Sequence, residues 1–303
     1  MALTTDKITL PTDVAMAVIN KAQDTSTIAK LSPSTPMLFA NQEYMMFNPA
    51  AEAEVVEEGA QKGSYEQTLS TVTAKRVKMQ VTTRVTSELQ WADQDNRYAI
   101  IDKIVDDQSR ALARALDYVV YHAIQPKTGE VMEGFNALSA TATQVTATDD
   151  AVANVDALTD AIAATYDING IALSKTFASQ LRKVRVPSTG MRFYPEIPLN
   201  LNAGSLEGIT AATSGTVSGT LAKAPTNVLA FAGDFSTIKW GLVRDMQAEV
   251  IQYGDPDGAG DLKRQNQVAY RTEVVYGYAV LDPKAIAVLK TAAQTTHAAK
   301  AAK

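Results

Sequence analysis

The segment that most constrains the fold is residues 48–75, which contain two glycines and many polar residues but no helical apolar stripe. Its charges are sorted along the chain. Residues 51–60 carry four glutamates and no base, whereas residues 75–84 carry four cations and no acid. This pattern predicts a long projecting hairpin with one acidic and one basic limb. A two-stranded ribbon is only marginally stable alone in water, so we expect it to lie on another surface.

The basic limb has the pattern of a strand. From residue 76 to 86 the odd positions are mostly apolar and the even positions are polar, a period of two that predicts one buried face. Opposite charges on the two limbs would set the register of contacts between copies of the chain. The residues expected at these contacts are Glu54, Glu57, Glu58, Lys62, Lys75, Arg76 and Lys78.

Residues 94–124 give the longest helical pattern, because they contain no proline or glycine and their apolar residues recur at spacings of three and four. A helix of this length spans about 45 Å, and Asp93 or Asp95 is the expected cap. The residues of its apolar face include Ile101, Ile104, Leu112 and Leu116, with one gap at Gln108. The opposite face carries charges that include Asp117, which predicts a spine lying on the surface of a core.

The spacing of apolar residues divides the rest of the chain into further predicted elements. The first 40 residues have the pattern of an arm, with a short helix at 13–22. Helix, strand and helix alternate over 154–186, which predicts a mixed α/β unit. Strand patterns dominate residues 227–280. Asp282 followed by Pro283 predicts a capped final helix to residue 290, and the last residues have the composition of a disordered tail.

The composition excludes several kinds of site. The chain has no cysteine and only two histidines, so thiolate metal sites, cysteine nucleophiles and a Ser-His-Asp triad are not expected. An Asp-rich turn at 254–262 lacks the twelfth-position glutamate of a calcium loop, so we expect an ordinary polar turn. Glu57 and Glu58 would lie on an exposed ribbon, where nothing raises a carboxyl pKa for catalysis. No metal or other cofactor is therefore expected.

The charge balance bears on the partners. There are 28 Lys and Arg against 33 Asp and Glu, a net charge of −5, which is opposite to the bias of sequence-reading nucleic-acid binders. The small basic cluster at Arg182, Lys183 and Arg185 is expected to be a solvated helix end. No apolar run approaches the ~18 residues of a membrane span, and the N-terminus lacks the pattern of a signal peptide. A cytoplasmic location is the expectation.

Five stretches resemble, in this order, the major capsid proteins of tailed bacteriophages with the HK97-type fold. They are VVEEGAQKGSYEQTLSTVTAKRVKMQVTTRVTSELQWAD, IIDKIVDDQSRALARALDYVVYHA, GIALSKTFASQLRKVRVPSTGMRFYPE, FAGDFSTIKWGLVRD and QNQVAYRTEVVYGYAVLDPKAIAVLK. No single phrase is an invariant motif, so the resemblance rests on their order and spacing. Asp117 stands at the family's "ALD" position in the spine helix.

The resemblance implies an α+β fold with an N-terminal arm, an extended E-loop hairpin, a long spine helix, a peripheral domain and an axial domain. The implied division is as follows: arm 1–40; E-loop 41–75; peripheral domain 76–133, with the spine helix at about 94–124; mostly axial domain 134–253; peripheral return strands 254–280; terminal helix of the axial domain 281–290; disordered tail 291–303.

It also implies a function and partners. Members of the family assemble into hexamers and pentamers that tile an icosahedral shell around double-stranded DNA. The DNA is enclosed without sequence-specific binding or any membrane. The implied location is the virion, with assembly in the host cytoplasm. A portal is an implied partner, and cement proteins are further candidates. Because only about 40 residues precede the ribbon, we expect no fused scaffold, so either a separate scaffold protein exists or none is needed.

Some family members join an E-loop lysine covalently to an asparagine of a neighbour with the help of a glutamate. Lys62 lies in the matching loop, and Asn266 and Glu273 are residues of the required types. Noncovalent packing and a crosslink both stay open here. Encapsulin nanocompartments share the fold and are the alternative function. An α/β enzyme is a second alternative, although no motif in the sequence marks a catalytic pocket.

Overall fold

The computed structural model describes residues 26–35, 42–47, 53–59, 61–64, 69–96 and 100–292. The arm helix predicted at 13–22 and the tail after residue 292 lie outside these ranges. Six α-helices occur in the described residues: α1 Thr27–Leu31, α2 Ser87–Asn96, α3 Ile100–His122, α4 Leu138–Thr141, α5 Ala151–Ala163 and α6 Lys175–Lys183.

The strands of the described residues form three sheets. They are β1 Glu43–Phe47, β2 Leu69–Thr73, β3 Lys75–Thr86, β4 Thr143–Thr146, β5 Gly170–Leu173, β6 Ser205–Leu206, β7 Ile209–Thr213, β8 Val228–Gly233, β9 Ile238–Ile251, β10 Gln267–Val280 and β11 Ile286–Lys290. One sheet is the β1–β2 pair, the second has the order β3-β10-β9, and the third has the order β4-β11-β8-β5-β7-β6. The α+β fold class is therefore confirmed.

The three-stranded sheet confirms the period-two prediction. The even-numbered residues of β10 from 268 to 278 are all buried, and the odd-numbered residues of β3 face the same side. Helix α3 packs on this face. The gap in its apolar stripe is Gln108, whose side chain is buried. It donates to Tyr270 O at 3.0 Å and to Thr83 Oγ1 at 2.8 Å, and it accepts from Thr272 Oγ1 at 2.7 Å.

Helix α3 joins two clusters of buried apolar side chains. Leu112 and Leu116 are each 1% exposed and lie in the main cluster between the helix, the three-stranded sheet and the six-stranded sheet. Ile101 and Ile104 pack instead on a smaller cluster that includes Val85. A third cluster fills the space between α5, α6 and the six-stranded sheet. The predicted apolar face of the spine is thus fully buried near its C-terminal end and partly buried near its N-terminal end, against different partners.

The spine helix is shorter than predicted. Helix α3 covers 100–122, whereas residues 94–96 at the start of the predicted range belong to helix α2. The carboxylate of Asp93 accepts hydrogen bonds from Ile100 N at 2.9 Å and Ile101 N at 3.3 Å, so it caps α3 seven residues ahead of its start. At the other end Ala123 has a φ of 51°, and this left-handed residue ends the helix before Pro126 is reached.

The predicted terminal helix at 281–290 is wrong. Asp282 does cap a helical turn, accepting from Lys284 N at 2.9 Å, but this turn is a 3₁₀ helix over Pro283–Ala285. Strand β11 follows and lies between β4 and β8, with its first four residues fully buried. Such a short apolar run does not distinguish a buried strand from a helix, and pairing on both edges decides the outcome.

Two further expectations differ from the structure. The second limb of the ribbon is β2, whereas the cations from Lys75 onward belong to β3 in the three-stranded sheet, so the predicted basic limb is wrong. Strand β9 pairs with β10, so residues 238–251 do not belong with the six-stranded sheet as the range 134–253 implied. Charge sorting and turn signals do not specify which strand pairs with which, because pairing partners lie far apart in sequence.

Gly233 provides a test of this packing. It ends β8 with a φ of 150°, and a Cβ there would lie 2.2 Å from Ala285 O. We expect Gly233→Ala to lower the free energy of unfolding by about 2–3 kcal/mol, because the atom overlaps backbone. Gly204→Ala is the control, since nothing lies within 4 Å of its Cβ position. Urea unfolding of the unassembled subunit measures both, and equal midpoints would contradict the prediction.

Candidate functional site

The β1–β2 hairpin exposes surface that one chain does not cover. Its strands pair antiparallel from Glu43 opposite Thr73 to Phe47 opposite Leu69. Val55 near the tip is 97% exposed, and Met45 on β1 is 68% exposed. Large apolar side chains in such positions mark contact surfaces when they cluster on one element. The hairpin is therefore the first candidate assembly surface.

The predicted acidic contact residues lie at this tip. Glu54, Glu57 and Glu58 are exposed, as is Lys62. Glu54 accepts a hydrogen bond from Gly63 N at 3.0 Å, which joins the two sides of the tip. The tip thus combines three exposed carboxylates with the exposed Val55 side chain. A partner with cations around an apolar patch would match this combination.

The predicted basic contact residues lie apart from the tip, on β3. Lys75 donates through Nζ to Gly134 O and lies 5.3 Å above the ring of Phe135. Lys78 forms a salt bridge of 2.8 Å with Glu273 on β10. Arg76, between them, is exposed. The acidic and basic residues thus belong to separate elements of the chain, although the sequence predicts them on one ribbon.

The two candidate crosslinking partners both have contacts within the chain. Glu273 is the partner of Lys78, and the Asn266 amide donates to the Glu88 carboxylate. Asn266 has a left-handed φ of 51° where the chain enters β10. The crosslink at Lys62 stays a prediction.

A second candidate element is the arm root, which we define as residues 26–35, the described part of the N-terminal arm. Its anchor is Asp117, which is fully buried in α3 although its charge suggested the exposed face. The carboxylate accepts from Ser26 Oγ at 2.5 Å, Thr27 N at 2.7 Å, Thr27 Oγ1 at 2.9 Å and Ile28 N at 3.2 Å. Thr216 Oγ1 donates from the opposite side at 2.6 Å. One carboxylate therefore joins the arm root, the spine helix and the loop after β7.

Sequence reasoning missed this anchor because amphipathicity assigns a charged residue to the solvent face. The available signal was the run of donors at Ser26 and Thr27 just before a short helix, a pattern typical of a helix N-terminus. Burial raises the pKa of Asp117, and the hydrogen bonds it accepts oppose that rise. Burial first, and then the charge of Asp117, raise the pKa of Tyr121, whose hydroxyl lies 2.9 Å from Thr27 Oγ1.

His122, at the end of α3, holds the same loop from the other side. Its Nε2 lies 3.1 Å from both Thr216 O and Val217 O, an arrangement that requires a proton on Nε2. Burial lowers the pKa of His122 to about 4, so the ring is neutral at physiological pH. His122 is therefore a buried packing residue of α3. Together Asp117 and His122 fix the loop at 214–217 to the last two turns of the spine helix.

The Asp-rich turn is held by an arginine instead of a calcium ion. Arg84 is 5% exposed, and its Nε donates to Asp257 Oδ1 at 2.7 Å. Its Nη2 donates to Asp255 Oδ1 and to Gly260 O, each at 2.9 Å. Arg84 is also the last cation of the predicted basic limb, and its side chain is buried inside the molecule. The turn is thereby a rigid projection at one end of the three-stranded sheet.

The described residues contain neither a cluster of metal-ligating side chains nor a membrane-spanning helix. Among them, no group of three or more histidine, aspartate or glutamate side chains could hold a metal ion. Within the same residues, no helix combines the length and apolar character that crossing a membrane requires.

Comparison with known proteins agrees with this geometry. The model of the phage capsid family matches residues 7–291. The chain belongs to the phage capsid family. A solved structure from Mycobacterium phage Ogopogo is 34% identical, has a TM-score of 0.83, and the match covers 96% of this chain and 100% of that one. A structure from Gordonia phage Cozz is 29% identical with a TM-score of 0.78, covering 94% and 92% respectively. The search of curated proteins gives no match.

The resemblance seen in the sequence is therefore confirmed, and the fold is the HK97-type capsid fold. A further structure, titled "Capsid of empty GTA particle computed with C5 symmetry", has a TM-score of 0.65 at 14% identity over 94% of this chain and 96% of that one, so it bears on the fold alone. This capsid protein is a structural subunit that forms a shell, and its location is the virion. The encapsulin alternative is not favoured, and family and fold point away from an enzyme.

The arm anchor can be tested with Asp117→Asn. The amide nitrogen would face a donor, so we expect the free energy of unfolding to fall by about 2–4 kcal/mol. Hydrogen exchange in a peptide covering residues 26–35 should become at least about tenfold faster, because Thr27 N and Ile28 N donate to different oxygens and asparagine keeps only one of them. Asp160→Asn on the exposed face of α5 is the matched control. Unchanged exchange in the arm root would show that Asp117 does not anchor it.

The Arg84 contact predicts a pH dependence. The guanidinium lowers the pKa of Asp257 below its usual value. Because the folded-state pKa is the lower one, the pair stabilises the protein above about pH 4, and this contribution is lost as the pH falls through the folded value. In Arg84→Met we expect a shallower fall of the urea midpoint between about pH 5 and 3 than in the native chain. Arg264→Met, exposed nearby, should keep the native slope, and parallel curves for all three proteins would refute the prediction.

Proposed function

We propose that copies of this capsid protein assemble into hexamers and pentamers that tile an icosahedral phage head around double-stranded DNA. The observation that carries the proposal is the β1–β2 hairpin, which extends exposed apolar and acidic side chains from the body of the subunit. A single chain gains nothing from such an element, whereas a neighbour could bury it. The proposed portal, a scaffold protein if one is used, any cement protein and assembly in the host cytoplasm follow from the resemblance.

In the proposed contact, the hairpin tip lies across a neighbouring subunit. Glu54, Glu57 and Glu58 would approach cations on the neighbour's β3, among them Arg76 and Lys78. Complementary charge steers encounter and fixes register, although one exposed pair contributes only about 0–1 kcal/mol. Stability of the shell would come from repeating such contacts in every subunit. We propose that Lys62 takes part through noncovalent packing.

The shell would enclose DNA without reading its sequence. A net charge of −5 gives no general attraction for phosphate. Basic side chains that are buried in ion pairs, such as Arg84, cannot contact phosphate either. Low affinity suits a container, because strong binding to the wall would hold the genome in place.

Expression of the chain alone, followed by electron microscopy and light scattering, tests the proposal. We expect rings or closed shells, and the shell diameter with absorbance at 260 nm would separate a DNA container from a compartment for protein cargo. Boiled shells should run as the 32.4 kDa chain on a denaturing gel, whereas larger bands that Lys62→Arg removes would replace packing with a crosslink. A monomer that never assembles, even with the phage's other head proteins present, would refute the proposal.

Charge reversal at the hairpin tip tests the proposed contact. The triple change of Glu54, Glu57 and Glu58 to lysine should reduce the yield of shells by about tenfold or more, because like charges would then meet. The corresponding change to glutamine should have a smaller effect. Glu133→Lys, an exposed acid elsewhere, is the control. Normal shells from the lysine variant would exclude an electrostatic role for the tip.

A further inference from the structure

The part of the chain between residues 149 and 195 has a second sorting of charge that the hairpin contact does not use. Residues 149–174 contain five aspartates and no lysine or arginine, whereas residues 175–195 contain five cations and no acid. Helix α5 belongs to the acidic stretch, and α6 with the segment after it belongs to the basic stretch. Both helices pack on the same six-stranded sheet through one apolar cluster.

The basic stretch ends in a tight hairpin over residues 184–193, which we call the arginine hairpin. Phe193 N donates to Val184 O at 3.1 Å, and Val186 N donates to Met191 O at 2.9 Å. Gly190, with a φ of 68°, closes the turn. Just after the hairpin, Tyr194 is only 2% exposed and anchors its base. The hairpin is thus an ordered projection that a partner could bind without first folding it.

The surface of the arginine hairpin is unfavourable for an isolated subunit. Arg185 and Arg192 stand directly opposite each other in its two limbs, and like charges in that relation are destabilising. In the described part of the chain, no salt bridge joins either arginine to an acid. Met191 is 69% exposed and Phe193 is 44% exposed beside them. A partner with carboxylates next to a flat apolar surface would neutralise the two arginines and cover the exposed Met191 and Phe193 side chains.

The outer face of α5 presents carboxylates next to a flat apolar surface. Val155, Leu158 and Ile162 are buried against the sheet, which turns the opposite side of the helix to solvent. Asp156 and Asp160 are exposed there, one helical turn apart. The other exposed residues between 153 and 161 are alanines, at 153, 157 and 161. The two carboxylates therefore lie along one edge of a strip of alanine methyl groups, on which Met and Phe side chains can pack.

We propose that the arginine hairpin of one subunit docks on the outer face of α5 of the next subunit. The proposal rests on the proposed self-assembly and names the surfaces that join subunits around a ring. Asp156 and Asp160 would neutralise the opposed Arg185 and Arg192, while Met191 packs on the alanine strip. The contact joins two different surfaces, so each bound subunit still offers one of each to a further copy. Contacts of this kind propagate and close into rings.

Charge exchange between the two surfaces tests the proposal. Variant one has Arg185→Asp with Arg192→Asp, and variant two has Asp156→Arg with Asp160→Arg. Each alone should assemble about tenfold less or worse, because like charges meet at every contact. A chain carrying all four changes should recover assembly to within about twofold of the native chain. Failure of this rescue, while each variant keeps its fold by circular dichroism, would overturn the proposal.

A mixture of the two variants gives a sharper result. Variant one is acidic on both surfaces and variant two is basic on both, so the only favourable contacts join one variant to the other. An equimolar mixture should therefore form six-membered rings with alternating subunits, but five-membered rings cannot alternate and should be absent. Mass measurement of the rings checks this. Five-membered rings from the mixture would contradict the proposed pairing.

Disulfide trapping identifies the contact directly, because the native chain has no cysteine. Met191→Cys combined with Ala157→Cys should give a ladder of linked chains on a non-reducing gel. Val131→Cys with Ala157→Cys is the control, since residue 131 is also exposed. Native shells without a ladder would refute the docking surfaces and leave the shell function standing. A native chain that forms no assembly under any condition would instead refute the shell function itself.

Discussion

The structure depends first on the buried carboxylate of Asp117. It accepts hydrogen bonds from the arm root on one side and from Thr216 on the other, and it does so near the centre of the main cluster. A buried carboxylate is costly unless donors surround it, so the three segments must be in place together. The arm, the spine helix and the loop after β7 therefore form one unit. The exposed β1–β2 hairpin, which we propose contacts a neighbouring subunit, extends from the body that this unit holds together.

Most local elements could be predicted from the sequence, because a single period specifies them. The buried face of β10 and the apolar stripe of α3 follow from spacings of two and of three to four. Asp117 and Arg84 could not be predicted as buried, since hydropathy assigns charge to solvent and their partners lie about 90 and 170 residues away. The sequence predicts a helix where strand β11 lies, because the strands that pair with β11 are also distant in sequence. Its identity depends on β4 and β8, and a short apolar run carries no record of either.

The sequence indicates the two proposed assembly surfaces unevenly. Four glutamates without a basic residue in ten positions predict the acidic tip, whose role in assembly stays a prediction. Its expected basic counterpart was placed on the wrong element, since β3 begins two residues after β2 ends and sequence alone does not show that the strands separate there. From the sequence, Arg182, Lys183 and Arg185 are interpreted as a solvated helix end. Only the structure shows that Arg192 turns back to face Arg185.

The two proposed contacts suit a shell for the same physical reason. Each combines exposed charges with a few exposed apolar side chains, so one contact is weak and a lone pair of subunits separates readily. Closure of a ring makes the last contact intramolecular, and its strength then depends on effective concentration instead of subunit concentration. Weak, reversible contacts also let wrongly placed subunits leave before a ring closes. A large hydrophobic interface would lack this property, which is consistent with a subunit that exposes only a few large apolar side chains next to sorted charge.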